Sequence, residues 1–331
     1  MITTTDYHTA GEPFRIVTSG VPEIPGTTVL ERRAAAQSSP EIDAVRQLLV
    51  REPRGHADMY GCFLVPPDDD GAEFGVLFWH KDGYSTACGH GTIALGAWAV
   101  RTGRVSAAPD GVTDVVMDVP SGRVTAAVSC VDGVVQRVSF RNVDAYVMGR
   151  DVEVPTKRGP VRVDVSYGGA IYASVPAAAL GLRVVPEHYA ELVAAGREIK
   201  WALDATAWAT HAGDSRLSGV YATMIYDDFG DTPAGPHQRN ITVFADGQAD
   251  RSSCGSGTSA RLALLAADGR LPAGAVLTHD SIIGTTFTGR VVSTAVSGAV
   301  ATEIEGTAYQ TGECSFGLDP ADDLGTGFVL R

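Results

Sequence analysis

The chain has 331 residues, of which 44% are hydrophobic and 20% charged, a composition typical of a soluble globular protein with about two domains. Its formal charge of −13 leaves no basic surplus to neutralise phosphates, so we expect no nucleic-acid partner. The first residues show no secretory leader and no apolar run approaches the roughly 18 residues of a membrane span, so we expect a cytoplasmic protein without membrane attachment.

In chain order, β-branched and aromatic residues first predict a strand at 74–80, which ends before Cys88, and a helix follows over 93–100. Short runs rich in valine and threonine predict further strands at 114–119, 123–128, 134–140, 161–167 and 171–175. A strand at 239–245 and a helix over 259–267 then repeat the first arrangement. Both helices are apolar on nearly every side and are therefore predicted to be buried. The pattern predicts an α/β (α+β) fold of two pseudo-symmetric halves, each a curved, mostly antiparallel, β-barrel-like sheet around a central helix.

The same turn, Cys-Gly-x-Gly-Thr, begins each of the two predicted helices. The turns start at Cys88 and Cys254, which lie 166 residues apart, about half the chain. A repeat in register over this distance indicates two related halves. We expect a first domain of residues 1–145, to which 310–331 return, and a second domain of residues 146–309, with the active site in the cleft between them.

The position of these two cysteines indicates a chemical role. The first turn of a helix has N–H groups without partners in the helix and carries the positive end of its dipole. We therefore expect the pKa of each thiol to fall towards neutrality and the neighbouring N–H groups to suit a carboxylate. If both cysteines face one small substrate, a thiolate removes a proton from carbon while a thiol on the other side delivers one. This pattern predicts racemisation or epimerisation by two bases.

The other cysteines and the glycine turns favour no competing chemistry. Five cysteines are an odd number and are widely scattered, so disulfides are not expected, and Cys62, Cys130 and Cys314 are interpreted as inert. No Cys/His spacing typical of a metal site is present, so we expect no metal. The turns also lack the Lys-Ser/Thr that follows the glycines of a nucleotide-binding loop.

Four longer motifs resemble those of a known family. They are DYHTAGEPFRIV at 6–17, PRGHADMYG at 53–61, GYSTACGHGT at 83–92 and DRSSCGSGTSARLALLA at 250–266. Together they resemble, over nearly the whole chain, the proline racemase family, which includes hydroxyproline 2-epimerases and trans-3-hydroxy-L-proline dehydratases. The resemblance implies a diaminopimelate-epimerase-like pair of domains, no metal, no organic cofactor, a homodimer, and a small-molecule substrate.

The resemblance also implies the residues of the site, with Cys88 and Cys254 as the catalytic pair. Three kinds of group would bind the substrate: backbone N–H groups for its carboxylate, side chains for its ring nitrogen, and aromatic walls around its pyrrolidine ring. The backbone N–H groups are those of Gly89, His90, Gly255 and Ser256. The side chains for the ring nitrogen are those of His90 and Asp250, and the aromatic walls are Tyr60 and Phe244. Residue chemistry independently favours Asp250, because a secondary ammonium in a closed pocket needs a carboxylate partner.

The residue at the second catalytic position bears on the reaction. The resemblance implies that the dehydratases have a threonine at this position, because elimination of a 3-hydroxyl needs only one base. The chain has Cys254 there, which favours inversion of the α-carbon of a hydroxyproline, of the 4-hydroxyproline 2-epimerase type, or of proline. A trans-3-hydroxy-L-proline dehydratase is the alternative among enzymes. A protein that binds an imino acid without chemistry is the alternative outside them.

Overall fold

The structure is a computed structural model that describes residues 1–330, and over this range it has 18 β-strands and five α-helices. The strands are β1 (Ile2–Thr9), β2 (Glu12–Ser19), β3 (Gly61–Val65), β4 (Phe74–His80), β5 (Gly83–Tyr84), β6 (Gly111–Val119), β7 (Gly122–Val131), β8 (Val134–Arg141), β9 (Tyr146–Val154), β10 (Val161–Tyr167), β11 (Ile171–Pro176), β12 (Val220–Thr232), β13 (Gly235–Phe244), β14 (Gln248–Asp250), β15 (Leu277–Ser281), β16 (Thr286–Thr294), β17 (Val300–Gly306) and β18 (Ala308–Phe316). The helices are α1 (Val29–Ser38), α2 (Pro40–Val50), α3 (Gly89–Arg101), α4 (Tyr189–Asp204) and α5 (Gly255–Ala267).

The chain divides into two compact units. The first consists of Met1–Val138 together with Thr307–Arg331, and the second is Ser139–Gly306. Each unit carries one of the two Cys-Gly-x-Gly-Thr turns, at the start of α3 in the first unit and of α5 in the second.

The sheet of the first unit wraps around α3. Its strands pair in the order β18, β1, β2, β3, β4, β6 and β7. All of these pairs are antiparallel except β2 with β3 and β4 with β6, which are parallel. Helix α3 packs against β1, β2 and β18 near one end of the series and against β7 at the other. The sheet therefore curves around its helix.

The second unit repeats this order of pairings. Its strands run β9, β10, β11, β12, β13, β15, β16 and β17, and the parallel pairs are again the third, β11 with β12, and the fifth, β13 with β15. Helix α5 packs against β9, β10 and β11 from one side of the series and against β16 and β17 from the other. The predicted fold class, a mostly antiparallel sheet around a buried helix in each half, is therefore confirmed.

Both central helices are 13 residues long and begin directly after their cysteine, four residues earlier than the predicted helical segments. Every residue is buried from Gly89 to Ala99 in α3 and from Gly255 to Leu265 in α5. The glycine turns, which lie before the predicted helical segments, thus form the first turn of each helix. The first-turn N–H groups of both helices are consequently inside the protein.

One charged side chain, that of Arg261, is buried in α5. It is 3% exposed, and its guanidinium lies 3.9 Å from the ring centroid of Tyr226. Its Nε donates to Oε1 of Gln238 at 2.9 Å. The aromatic face and the amide oxygen replace part of the hydration that the cation loses, and burial lowers the pKa of Arg261.

Three outer helices were not predicted from the sequence. Helices α1 and α2 contact β4, and α4 contacts β12 and β13. Helix α1 begins with a capping box in which Thr28 caps the chain and Glu31 bonds back, and α2 begins after Ser39 with Pro40 in its first turn. Each outer helix therefore packs on the sheet of its own unit. Within residues 1–330, no helix combines the length and the apolar character that crossing a bilayer requires.

Candidate active site

The first candidate thiol lies at the N-terminus of α3. Cys88 is the N-cap residue, with extended backbone (φ −156°), and it is 4% exposed. Its Sγ accepts the N–H of Gly91 at 3.2 Å, while its carbonyl accepts both the N–H and the hydroxyl of Thr92. An N–H group directed at sulfur is the kind of contact that stabilises a thiolate. The cap geometry thus suits a proton-accepting cysteine.

His90 connects this thiol to an aromatic wall. Its two ring nitrogens lie 3.4 and 3.5 Å from Sγ of Cys88. Its ring makes edge contacts with Tyr60, at a centroid distance of 4.9 Å, and with Phe14, at 5.7 Å. The hydroxyl of Tyr60, a fully buried residue, is hydrogen-bonded to Ser85. Within the first unit, the predicted residues Cys88, His90 and Tyr60 therefore come together.

The second candidate thiol has a different backbone, although it begins the same sequence motif. Cys254 has φ +59°, in the left-handed region that side chains with a Cβ rarely adopt. Its carbonyl accepts the N–H of Thr258 at 2.7 Å, and its Sγ lies 3.9 Å from the hydroxyl of Tyr172. A backbone of this kind costs of the order of 1–3 kcal/mol, so surrounding contacts must hold it.

A short chain of hydrogen bonds connects Cys254 to Asp250. The N–H of Cys254 donates to Oγ of Ser252 at 3.1 Å. The hydroxyl and the N–H of Ser252 both donate to Oδ1 of Asp250, at 2.7 and 2.8 Å. Asp250 is only 3% exposed and Ser252 is fully buried. The carboxylate is thereby fixed beside the thiol, where it is able to partner a substrate ammonium.

The prediction that both thiols have a lowered pKa is wrong for Cys254. Burial raises the pKa of this thiol well above its ordinary value, and the negative charge of Asp250 raises it further. The N–H of Gly257 and the hydroxyls of Thr242 and Tyr172 oppose these effects without overcoming them. Desolvation therefore outweighs the helix dipole, and Cys254 is a protonated thiol at neutral pH, suited to donate a proton.

Aromatic side chains surround the first turn of α5. Tyr172, which is fully buried on β11, shares a 2.8 Å hydrogen bond between its hydroxyl and Oγ of Ser256. Its ring contacts that of Tyr221 at a centroid distance of 5.6 Å, and Tyr221 stacks on Phe244, also at 5.6 Å. Phe244 is thus connected to the first turn of α5 through the rings of Tyr221 and Tyr172. The structure brings Cys254, Asp250, Gly255 and Ser256 together more closely than it brings Phe244.

Three polar residues of the two half-sites were missed from the sequence. Ser252 carried a weak signal, because a hydroxyl two residues before Cys254 is placed to bond the turn. Tyr172 and Ser85 carried none, since Tyr172 is 84 residues from its partner Ser256 in the sequence. Such pairs become visible only when strands far apart in the chain are aligned.

The remaining cysteines, Cys62, Cys130 and Cys314, lie within strands β3, β7 and β18 and do not begin a helix. All five cysteines are free thiols. Cys62 is fully buried on β3, and burial raises its pKa far above the ordinary range. Across the described residues 1–330, no three His, Cys, Asp or Glu side chains are grouped as metal ligands would be.

Comparison with known proteins shows what this arrangement is similar to. A protein of Bacillus cereus named trans-3-hydroxy-L-proline dehydratase is 41% identical over 331 residues, covering 99% of this chain and 98% of its own. A 3-hydroxyproline 2-epimerase of Burkholderia multivorans is 42% identical, covering 100% and 98%. The crystal structure of a hydroxyproline epimerase from Agrobacterium vitis, with trans-4-hydroxy-L-proline bound, superimposes with a TM-score of 0.90 at 31% identity, covering 99% of this chain and 95% of that one.

The family pattern described as Proline racemase matches residues 4–329, almost the whole chain. The match includes both helix-capping cysteines and the residues around them. This result confirms the resemblance inferred from the four motifs. The chain belongs to the proline racemase family and is an enzyme.

Proposed function

We propose that the chain is a hydroxyproline 2-epimerase, which inverts the α-carbon of its substrate with Cys88 and Cys254 acting from opposite faces. The observation that carries this proposal is the presence of a buried thiol at both helix N-termini, in unequal surroundings. Both cysteines are 4% exposed, the N–H of Gly91 donates to the sulfur of Cys88, and burial and the charge of Asp250 raise the pKa of Cys254, whose sulfur lies 3.9 Å from the hydroxyl of Tyr172. One group suited to accept a proton and one suited to donate it is what a single inversion requires.

The chemistry follows from the groups around each thiol. The first-turn N–H groups of α3 and α5 would hold the substrate carboxylate, because helix N-termini favour anions. Asp250 and His90 would meet the ring nitrogen. The thiolate of Cys88 takes the α-proton, and negative charge spreads from the α-carbon onto the bound carboxylate. The thiol of Cys254 then gives its proton to the opposite face, and the product leaves with the configuration at this carbon inverted.

The substrate class rests on the relatives. The two at 41–42% identity are named after 3-hydroxyproline, and the structural neighbour at 31% holds trans-4-hydroxy-L-proline. We therefore propose 3-hydroxyproline as the preferred substrate, ahead of 4-hydroxyproline and proline. The Tyr60 hydroxyl, which is already paired with Ser85, is the polar group of the predicted aromatic wall that distinguishes a ring hydroxyl from a methylene.

A second candidate function is the dehydration of trans-3-hydroxy-L-proline, which the 41% identical relative favours by its name. In that reaction Cys88 removes the α-proton, the C2–C3 double bond forms and the 3-hydroxyl leaves as water after protonation. The enamine then tautomerises to a cyclic imine. Only one thiol is needed on this path, so Cys254 discriminates between the two reactions.

The deciding experiment incubates the enzyme in deuterium oxide with trans-3-hydroxy-L-proline, trans-4-hydroxy-L-proline and L-proline. Epimerisation yields the inverted isomer with deuterium at the α-carbon, and dehydration yields a cyclic imine. No chemistry with any of the three would refute both proposals and favour a binding protein. In Cys254→Ser, inversion should fall by about 10²–10⁴-fold, whereas the control Cys314→Ser, at a partly exposed cysteine on β18, should retain it.

A further inference from the structure

A closed set of buried hydrogen bonds lies behind the second thiol. The side-chain amide of Asn240 donates from Nδ2 to Nε2 of His279, at 2.9 Å, and to the carbonyl of Ser253, at 3.0 Å. The Thr258 hydroxyl lies 2.8 Å from Nδ1 of His279 and donates to the same Ser253 carbonyl at 3.0 Å. The hydroxyl of Ser253 donates to the carbonyl of His279 at 2.6 Å. Asn240, Ser253, Thr258 and His279 are all fully buried.

The donors and acceptors in this set fix the state of the imidazole. The Thr258 hydroxyl has one proton, which it donates to Ser253, so it accepts from Nδ1–H of His279. Asn240 donates to Nε2, so that nitrogen carries no proton. Burial, followed by the charge of Arg261, lowers the pKa of His279 to about 3, and the ring is neutral accordingly. The imidazole thus connects Asn240 and Thr258, and both of these side chains donate to the carbonyl of Ser253.

That carbonyl belongs to the peptide that leads into Cys254. The equivalent threonine of the first unit, Thr92, donates to the carbonyl of Cys88 itself, not to that of the preceding residue. The two cysteines differ accordingly: φ is −156° at Cys88 and +59° at Cys254. Of the two cysteines, the one with positive φ is therefore the one that the hydrogen-bond set adjoins.

We propose that His279 is a positioning residue, which acts through Thr258 to hold the Ser253–Cys254 peptide so that the thiol of Cys254 stays buried and correctly aimed. Its role in turnover rests on the proposed function, in which Cys254 supplies the second proton. Its role in holding the peptide does not depend on that function. Thr92 occupies the matching position in the first unit but donates to the carbonyl of Cys88 itself. This hydrogen-bond set therefore holds only the peptide that precedes Cys254.

The test is the rate of iodoacetamide labelling of Cys254 relative to Cys88 in the same molecule, measured by mass spectrometry at pH 8. Thr258→Val removes the hydroxyl and should raise the Cys254-to-Cys88 ratio at least tenfold, because the freed peptide exposes a buried thiol. Thr258→Ser retains the hydroxyl and should match the wild type. Thr92→Val, the matched change in the first unit, should not accelerate labelling of Cys254.

Two substitutions of His279 test the roles of its two ring nitrogens separately. His279→Asn places an N–H near the position of Nδ1 and should keep the labelling ratio within about threefold of the wild type, whereas His279→Gln extends past Thr258 and should raise it. Slow labelling of the core residue Cys62 and an unchanged far-UV spectrum show that a variant is folded. Should Thr258→Val misfold, the His279 pair decides in its place.

The turnover arm uses the ratio of α-proton exchange to inversion in deuterium oxide. Thr258→Val should raise this ratio about tenfold, since Cys88 still exchanges the proton while Cys254 no longer delivers one efficiently, and Thr258→Ser should restore it. A wild-type enzyme that never inverts would refute the proposed function but leave the labelling test decisive. A labelling ratio within twofold of wild type in Thr258→Val, or equal rises in the valine and serine variants, overturns the positioning role.

Discussion

The neutral, buried imidazole of His279 predicts a pH dependence of stability that can be assigned to one residue. Arg261, Asp280 and His237 are the charged or titratable groups that act on it, and burial lowers its pKa more than any of them. Unfolding releases the imidazole to water, where its pKa returns to about 6.5. His279→Gln removes this titration and keeps a polar side chain of similar size.

The sign and size of the effect follow from the two pKa values. The folded pKa, about 3, is below the unfolded one, so the unfolded chain binds the extra proton first and stability is lost as the pH falls below about 6.5. Between pH 8 and pH 5 the loss from this residue is about 2 kcal/mol, and its limit at very low pH is about 5 kcal/mol. His279→Gln loses a buried hydrogen bond, which costs about 1–3 kcal/mol at pH 8.

Urea titrations at pH 8, 7, 6 and 5, followed by tryptophan fluorescence, measure the free energy of unfolding of both proteins. The wild type should exceed His279→Gln at pH 8, and the difference should shrink by about 2 kcal/mol at pH 5. A parallel variant of an exposed histidine, His56→Gln, should show no such convergence. Parallel curves for the wild type and His279→Gln would refute the assignment of a buried neutral imidazole.

Two further predictions concern the first half-site. A Cβ at Gly91 would lie 2.5 Å from the Phe14 ring, so Gly91→Ala should lower the free energy of unfolding by about 1–3 kcal/mol and reduce turnover, whereas Gly312→Ala, with open space around it, should do neither. Tyr60→Phe removes the hydroxyl bonded to Ser85 and should shift the ratio of kcat/KM values from hydroxyproline towards proline by roughly tenfold; an unchanged ratio would show that Tyr60 does not select the substrate.

Much of the fold was predictable because local patterns and packing agree. The strand predicted at 74–80 is β4, and the segments predicted at 161–167 and 171–175 are β10 and β11 with at most one residue of difference. The two buried helices were predicted from uniform apolarity, and each differs mainly at its start. Cys-Gly-x-Gly-Thr was interpreted as a turn before the helix, whereas glycine tolerates the helical backbone once packing favours it.

Helix α1 escaped prediction because its apolar face is narrow. Helix α1 buries only Val29, Arg32 and Ala36, and one of these is an arginine whose guanidinium donates to the carbonyl of Pro66. A pattern search for apolar periodicity does not find such a helix, although the capping box of Thr28 and Glu31 marked its start. A capping box and apolar periodicity are independent indications of a helix, and α1 shows only the capping box.

The electrostatics of the site could not be predicted from the motif alone. A helix N-terminus favours a thiolate by an amount that depends on exposure, and the exposure of the turn does not follow from the motif. Complete desolvation beside Asp250 reverses the expected direction at Cys254. Asp250, the expected partner of the substrate nitrogen, also raises the pKa of the thiol four residues later.

The two copies of the turn carry the same residues at four of five positions and nevertheless differ in backbone and in hydrogen bonding. The difference arises outside the motif, from Asn240 and His279 on strands of the second unit, and the first unit bonds its matching threonine to the cysteine itself. In the proposed inversion one thiol must be deprotonated and the other protonated when the substrate binds, and unequal surroundings of the two thiols would favour one such arrangement over its reverse.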